Sequence, residues 1–209
     1  MHRSVWLAVM TMILALPAPS VVQAAGWEVS GFAGVAFPTG DFADDVQTGP
    51  RFGGAVDYLF NSMWHFGVDG SLNLNEHKDV GETVSDGFGG TYTLDEDKFT
   101  TWQFGAHAKY MIPVGDVKIH PYALVGAGAS GTKEKFSETF TFGGTSTTDS
   151  GEIKSDAAFA GRFGAGATWM ANSQWGLGGE VDYTTVSADG ATLSWVGIHG
   201  VITFAIPSP

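Results

Sequence analysis

The residues best suited to chemistry in this sequence are charged side chains that recur at alternate positions among glycines and other small residues. Alternation of this kind places side chains on one face of a β-strand. An enclosed charged face must pair its charges, because an unpaired buried charge is strongly unfavourable. We therefore expect an interior charge cluster with a structural role, made of Arg51, Asp57, Asp69, Lys109, Arg162, Glu180 and Asp182.

Arg162 has a specific expected partner within this cluster. If Trp169 faces Trp175 across the hairpin that joins their segments, Arg162 falls opposite Asp182, and Glu180 lies one pair closer to the turn. A gate or a proton path through these residues is the alternative to a purely structural cluster. The same face carries further polar groups, which we interpret as interior hydrogen-bonding partners: Glu28, His65, His107 and His199.

Catalytic and metal-binding motifs do not accompany these residues. His77 has Glu82 and Ser85 nearby in the sequence, but their spacing does not predict a catalytic hydrogen-bond geometry. The acidic run at residues 95–97 lacks the glycine and the ligand spacing of an EF-hand, so we interpret it as a solvated face. No histidine spacing typical of a metal site occurs, and the chain has no cysteine. The sequence thus predicts no catalytic site, no cofactor and no bound metal.

The elements that would position the charged residues are segments of about ten residues with alternating apolar and polar positions. We count eight segments, of which residues 64–74 alternate most clearly. The fifth, residues 117–130, has no clear apolar face. Short turns follow the second, fourth and sixth segments, while longer polar loops, including 75–98 and 131–155, follow the first, third and fifth. This pattern predicts an all-β fold, an eight-stranded antiparallel up-and-down transmembrane β-barrel.

The start of the chain has the layout of a secretory signal peptide. Arg3 precedes an almost wholly apolar run at residues 5–16, and Val22 and Ala24 place small residues at the two cleavage-determining positions before Ala25. The apolar run is shorter than the roughly 20 residues that a membrane-spanning helix needs, which disfavours an uncleaved anchor. We expect a signal peptide at 1–24, cleaved between Ala24 and Ala25, one barrel domain at 25–206 and a short tail at 207–209.

The charge of the protein is strongly acidic and unevenly distributed. The chain has 10 basic and 22 acidic residues, a net charge of −12, which argues against nucleic acid as a partner. Of the 22 acidic residues, 16 lie in the four connections expected on one side of the barrel. No run after residue 25 approaches the length of a membrane helix.

Aromatic side chains cluster near the ends of the predicted strands, as in the aromatic girdles of membrane barrels. A soluble β-sandwich would also alternate, but its outward faces should be charged, and these polar faces are rich in Gly, Ala, Ser and Thr. The residues expected at the membrane interfaces are Trp27, Phe60, Trp64, Tyr110, Trp169, Trp175, Tyr183 and Phe204.

The chain resembles the small outer-membrane β-barrel domains that include OmpA-like, OmpX-like and opacity-type proteins. The resemblance covers about residues 25–206 and is carried by Gly-rich strand sequences at residues 120–128, 163–167 and 178–183. Such chains usually end on an aromatic residue, whereas here Phe204 is followed by five more residues. The resemblance implies the outer membrane of a Gram-negative bacterium. It also implies contact with outer-membrane lipids and lipopolysaccharide, recognition by the barrel-assembly machinery, and a monomer.

Two functions remain open under this resemblance. One is a structural or surface-interaction barrel whose acidic loops meet lipopolysaccharide or an extracellular ligand. The other is a narrow transport barrel for small or apolar solutes, as in OmpW-like relatives. Lipid A-modifying enzymes on this scaffold use a His and a Ser near the outer leaflet, but the mature chain has no His-x-Ser sequence. We therefore predict that the protein is not an enzyme.

Overall fold

The computed structural model describes residues 26–115, 118–188 and 191–206. The predicted signal peptide with Ala24 and Ala25, and the predicted tail at 207–209, lie outside the described residues and stay predictions. Within those residues, no helix is long and apolar enough to cross a membrane. The elements are β1 (Gly26–Thr39), α1 (Phe42–Asp45), β2 (Gly49–Leu59), β3 (Trp64–Glu76), β4 (Thr83–Ser85), β5 (Gly90–Met111), β6 (Ile119–Phe142), β7 (Thr145–Lys154), β8 (Ala158–Met170), β9 (Trp175–Ala188) and β10 (Ala191–Ile206).

Eight of the described strands close into an antiparallel barrel, in the order β1, β2, β3, β5, β6, β8, β9, β10. The barrel closes where β10 pairs with β1, from Trp27 opposite Ile206 to Thr39 opposite Ser194. Every barrel strand therefore has hydrogen-bonded neighbours on both sides, which satisfies the backbone where water is absent. The predicted eight-stranded antiparallel up-and-down barrel is confirmed.

The remaining strands, β4 and β7, belong to a sheet that rises from one end of the barrel. β5 and β6 are 22 and 24 residues long, and β4 and β7 pair with their outer parts. The prediction of a polar loop at 75–98 was therefore wrong for residues 75–76, 83–85 and 90–98. Threonines and aromatic residues favour strands here, and the hydroxyls of Thr83 and Thr93 lie 2.9 Å apart across the pair. The segment 131–155 forms an extended hairpin, as its alternating residues Phe136, Phe140 and Phe142 indicate.

The two faces of the barrel strands differ sharply. Outward positions expose large apolar side chains such as Val68, Phe104 and Phe163, whereas inward positions hold the buried polar residues. The structure also resolves the fifth segment: Tyr122 and Leu124 are buried inside, and Val125 is exposed on the outside. The lipid-facing side of every barrel strand is thus defined.

The register of the hairpin between β8 and β9 differs from the expected one. Arg162 lies opposite Thr184 and Trp169 opposite Leu177, a shift of two residues. The turn is centred one residue later than expected, because Met170 pairs with Gly176 and the Ala171 N–H donates to the Trp175 carbonyl at 2.9 Å. A shift of two residues keeps each side chain on its own face, so Arg162 still points inward.

Candidate functional site in the barrel interior

Arg162 is the centre of a continuous interior charge network. From β8 its guanidinium donates to Asp69 on β3 at 2.7 Å and to Glu180 on β9 at 2.5 Å, and its Nε lies 3.4 Å from Asp182. All of these side chains are buried. One arginine thus links three carboxylates that come from two opposite sides of the barrel.

His107 on β5 extends the network by joining two aspartates. Its Nδ1 lies 2.8 Å from Asp69 and its Nε2 lies 2.6 Å from Asp57. Ionised carboxylates only accept hydrogen bonds, so we assign both ring nitrogens as donors and His107 as an imidazolium. Lys109 donates to the second oxygen of Asp57 at 2.7 Å. The predicted residues Asp57, Asp69 and Lys109 are therefore part of one assembly.

Arg51 on β2 pairs with Asp182 on β9 at 2.8 Å, with both side chains fully buried. Its guanidinium also lies over the Phe32 ring, 5.8 Å from the centroid. Gly197 on β10 leaves the space for this pair, because a Cβ there would lie 2.5 Å from Arg51 Nη1. Close approach of the Arg51 and Asp182 side chains thus depends on a glycine in β10.

Glu180 accepts hydrogen bonds from side chains on three strands. It accepts from Arg162, from the Tyr122 hydroxyl at 2.8 Å and from His199 Nε2 at 3.1 Å. Glu180, Asp182 and His199 also have the spacing of metal ligands, but Arg162 already contacts both carboxylates. We therefore interpret this group as a charge cluster.

The charges of the network balance. The seven residues predicted for the cluster comprise three cations and four carboxylates. The His107 imidazolium brings the count to four positive and four negative groups, which is the condition for burying them together. All seven lie in the barrel interior.

The sequence did not predict every member of the network. Tyr122 comes from the segment without a clear face, and His107 was expected to hydrogen-bond without a named partner. Phe32 is an inward aromatic residue beside Arg51. Gly197 could be recognised in the sequence as one of the small residues at inward positions. Its contact with Arg51 and Asp182 follows only from the fold.

The outer end of the lumen is closed by apolar side chains. Trp195, Ala36, Ala160 and Val186 form a fully buried cluster, and Phe42 of helix α1 packs against it. Helix α1 belongs to the connection between β1 and β2, which folds over this end. Above the charge network, therefore, this apolar cluster packs beside β1, β8, β9 and β10, while buried polar side chains such as Asn73 and Gln103 lie on β3 and β5.

The opposite end of the lumen holds a cavity of about 500 Å³. It is lined by Glu28, His65, Lys109 and Tyr122 together with apolar side chains such as Met63. Lys109 and Tyr122 also belong to the network, so the cavity ends where the network begins. This end carries the short turns and, with Trp27 opposite Ile206, both described termini of the barrel.

The predicted interface aromatics lie on the outer surface, and most of them line the end with the short turns. Trp27 packs on Tyr58 at 5.2 Å, Trp64 on Tyr110 at 5.0 Å and Trp175 on Phe204 at 4.8 Å between ring centroids. Tyr183 lies farther along the barrel, 5.3 Å from Phe163. Phe60 and Trp169 are exposed at the same end as the first three pairs. Their contact with a membrane interface remains a prediction.

The possible catalytic group of His77, Glu82 and Ser85 is not assembled in the described part of the chain. Ser85 lies in β4 and accepts from the Gly87 N–H. His77 instead faces Asp97, with its Nδ1 3.9 Å from the carboxylate.

With this geometry established, comparison with known proteins places the chain in a family. Residues 6–198 match the family described as outer membrane protein beta-barrel domain, and the chain belongs to it. The protein is therefore an integral β-barrel of the outer membrane. A search of curated protein sequences finds no match.

Two solved structures have the same fold at low sequence identity. The crystal structure of Neisserial surface protein A is 14% identical, with a TM-score of 0.54, and the match covers 87% of this chain and 99% of that one. A major outer membrane protein from Thermus thermophilus is 12% identical, with a TM-score of 0.51, over 88% of this chain and 100% of that one. At these identities the likeness shows a shared fold alone.

Proposed function

We propose that the protein is a structural and surface-interaction barrel of the outer membrane, closed to solute flow and without catalytic activity. The carrying observation is that side chains fill the middle of the lumen. The charge network occupies the middle of the barrel, and the apolar cluster around Trp195 lies above it. A permeant solute would have to break buried ion pairs, which costs several kcal/mol each.

The acidic outer part supports contact with partners outside the cell. The connections on the side opposite the short turns carry 16 of the 22 acidic residues and five lysines. In bacterial barrels the longer connections are extracellular. Acidic groups there can share divalent cations with the phosphates of lipopolysaccharide, which makes the lipid and an external ligand the proposed partners. We further propose a monomer delivered by the barrel-assembly machinery.

The cavity at the other end favours a second candidate, a narrow OmpW-like barrel for small or apolar solutes. Its volume of about 500 Å³ can admit a small molecule from the periplasmic side. In this case the network around Arg162 would act as a gate.

Solute flux through proteoliposomes separates these functions. Purified protein, folded into liposomes, is tested for entry of small sugars and of small apolar fluorophores, with protein-free liposomes and a known porin as references. The proposed function predicts entry no faster than in protein-free liposomes. Entry of either class that scales with the amount of protein would instead establish the transport barrel.

A further inference from the structure

We propose that His77, Asp97 and Glu134 form a binding site for one divalent transition-metal ion of the zinc class, at the base of the extracellular sheet. The site is independent of the interior network. His77 follows the last residue of β3, Asp97 lies on β5 and Glu134 on β6. One ligand atom from each residue lies within 4.8 Å of the other two.

The strand register explains why three residues far apart in sequence meet. The His77 N–H donates to the Asp97 carbonyl at 3.1 Å, which continues the pairing of β3 with β5 beyond Glu76 opposite Lys98. Glu134 lies opposite Phe99, two residues from Asp97, and is therefore the diagonal neighbour of Asp97 on the same face. The backbone thus fixes all three positions.

Unsatisfied polar atoms point to a missing ligand. Asp97 is 7% exposed, and its Oδ1 has no hydrogen-bond partner in the described part of the chain. His77 Nε2 is buried without a partner in the same way. Buried polar atoms of folded proteins generally find a partner, so these two atoms are open to a ligand. The other ring nitrogen of His77, Nδ1, lies 3.9 Å from the other Asp97 oxygen, Oδ2, which is too long for a hydrogen bond.

The separation of 3.9 Å between His77 Nδ1 and Asp97 Oδ2 is close to that of two ligand atoms bound to one cation. Zinc binds imidazole nitrogen and carboxylate oxygen at about 2.0–2.2 Å, so neighbouring ligand atoms around it lie a little over 3 Å apart. A small contraction of the three side chains would reach that spacing. One imidazole and two carboxylates match zinc, whereas calcium takes six to eight oxygen ligands. The fourth zinc position would remain for water.

The surrounding charges also favour a cation. Asp97 and Glu134 place two carboxylates at the site, and Glu138 adds a further negative charge that repels Asp97. The His77 ring is held by an edge contact with Phe99, whose centroid is 6.0 Å away. A bound divalent ion would neutralise the Asp97 and Glu134 carboxylates. It would also tie the connection after β3 to the extended strands β5 and β6.

Zinc titration tests this site on untagged protein folded in detergent and stripped of metal with a chelator. Isothermal titration should give one Zn²⁺ per chain for wild type, with at least about tenfold weaker binding for His77→Ala and for Glu134→Gln. His120→Ala removes an exposed histidine of the opposite end and should bind like wild type. Heat-modified gel mobility confirms that each variant is folded.

Thermal unfolding gives a second readout. Zn²⁺ should raise the midpoint of wild type and of His120→Ala, because a ligand that binds only the folded state stabilises it. It should leave the midpoint of folded His77→Ala unchanged. Absence of saturable zinc binding in wild type, or wild-type affinity in either His77→Ala or Glu134→Gln, would overturn the proposal. Equally tight binding of Ca²⁺ would overturn the assignment to the zinc class.

Discussion

Arg51 donates to Asp182 at 2.8 Å across the barrel interior, although 131 positions separate the two residues in the chain. Neither side chain has any exposed surface. Loss of either partner is strongly destabilising. Without Asp182, Arg51 keeps no hydrogen-bonded carboxylate in the described part of the chain, and without Arg51, Asp182 keeps the longer contact of 3.4 Å with Arg162 Nε. The pair therefore offers a direct measure of how much the network stabilises the barrel.

Replacement of one partner should be much more harmful than replacement of both. We expect Arg51→Met or Asp182→Leu alone to lower the free energy of unfolding by about 3–5 kcal/mol. The double variant should recover much of that loss, since an apolar pair leaves no unpaired charge. Urea unfolding in detergent micelles, followed by tryptophan fluorescence, gives the double-mutant cycle. Additive losses would show that the two residues do not interact.

Gly197→Ala should destabilise the same pair by steric pressure. The new Cβ would lie 2.5 Å from Arg51 Nη1 and 3.0 Å from Asp182 Oδ1. Overpacking of this kind costs about 1–3 kcal/mol. Gly200→Ala is the matched control on the same strand, because its nearest neighbours would be 4.0 Å away. Equal unfolding free energies for the two variants would contradict the tight contact at Gly197.

The hairpin of β6 and β7 contains an exposed ion-pair group that should respond to acid. Glu152 on β7 lies 2.7 Å from Lys133 and 2.9 Å from Lys154. Hydrogen bonds from these lysines lower the pKa of Glu152 from its ordinary 4.5 to about 2. Because the pKa is lower in the folded state, the contribution to hairpin stability is full above about pH 4.5. It is lost as the pH falls through about 2.

Carbon-13 NMR of the Glu152 carboxyl group gives that titration directly. The midpoint should lie well below 4.5 in wild type and move toward the ordinary value in Lys133→Met. High salt should reduce the difference, since the group is exposed and screened. A wild-type midpoint near 4.5 would show that the lysines do not hold the carboxylate.

Phe204 tests the proposed recognition by the assembly machinery. It is the last aromatic residue of β10 and packs on Trp175 at the end with the short turns. We expect Phe204→Ala to lower the amount of folded protein in the outer membrane, measured by heat-modified mobility of cell envelopes. Ile202→Ala, another outward residue of β10, is the control. Equal amounts for both variants would argue against a special role for Phe204.

Sequence alternation predicted the barrel because each strand has one lipid-facing and one interior face, and the inward positions of Arg51 and Asp57 followed from that alternation. The partners did not follow, because they depend on register. A two-residue error in the register of one hairpin placed Arg162 opposite Asp182 in the prediction, whereas the structure places it opposite Thr184. Residues that meet across distant strands, such as His107 and Asp57, lie far apart in the sequence. No short spacing motif therefore marks such contacts, and the same holds for His77 with Asp97 and Glu134. Strand β4 and the outer part of β5 were missed because polar, threonine-rich segments resemble loops.

The central claim is that the lumen is filled and closed, and single-channel recording in a planar lipid bilayer tests it most directly. Wild-type protein, inserted from detergent at neutral pH and verified as folded, should give no steady ohmic conductance. The variant Trp195→Ala is recorded alongside wild type for comparison, because it shortens the largest fully buried side chain of the outer cluster. Steady, voltage-independent channels from pure wild-type protein, with frequency proportional to its amount, would contradict the closed lumen.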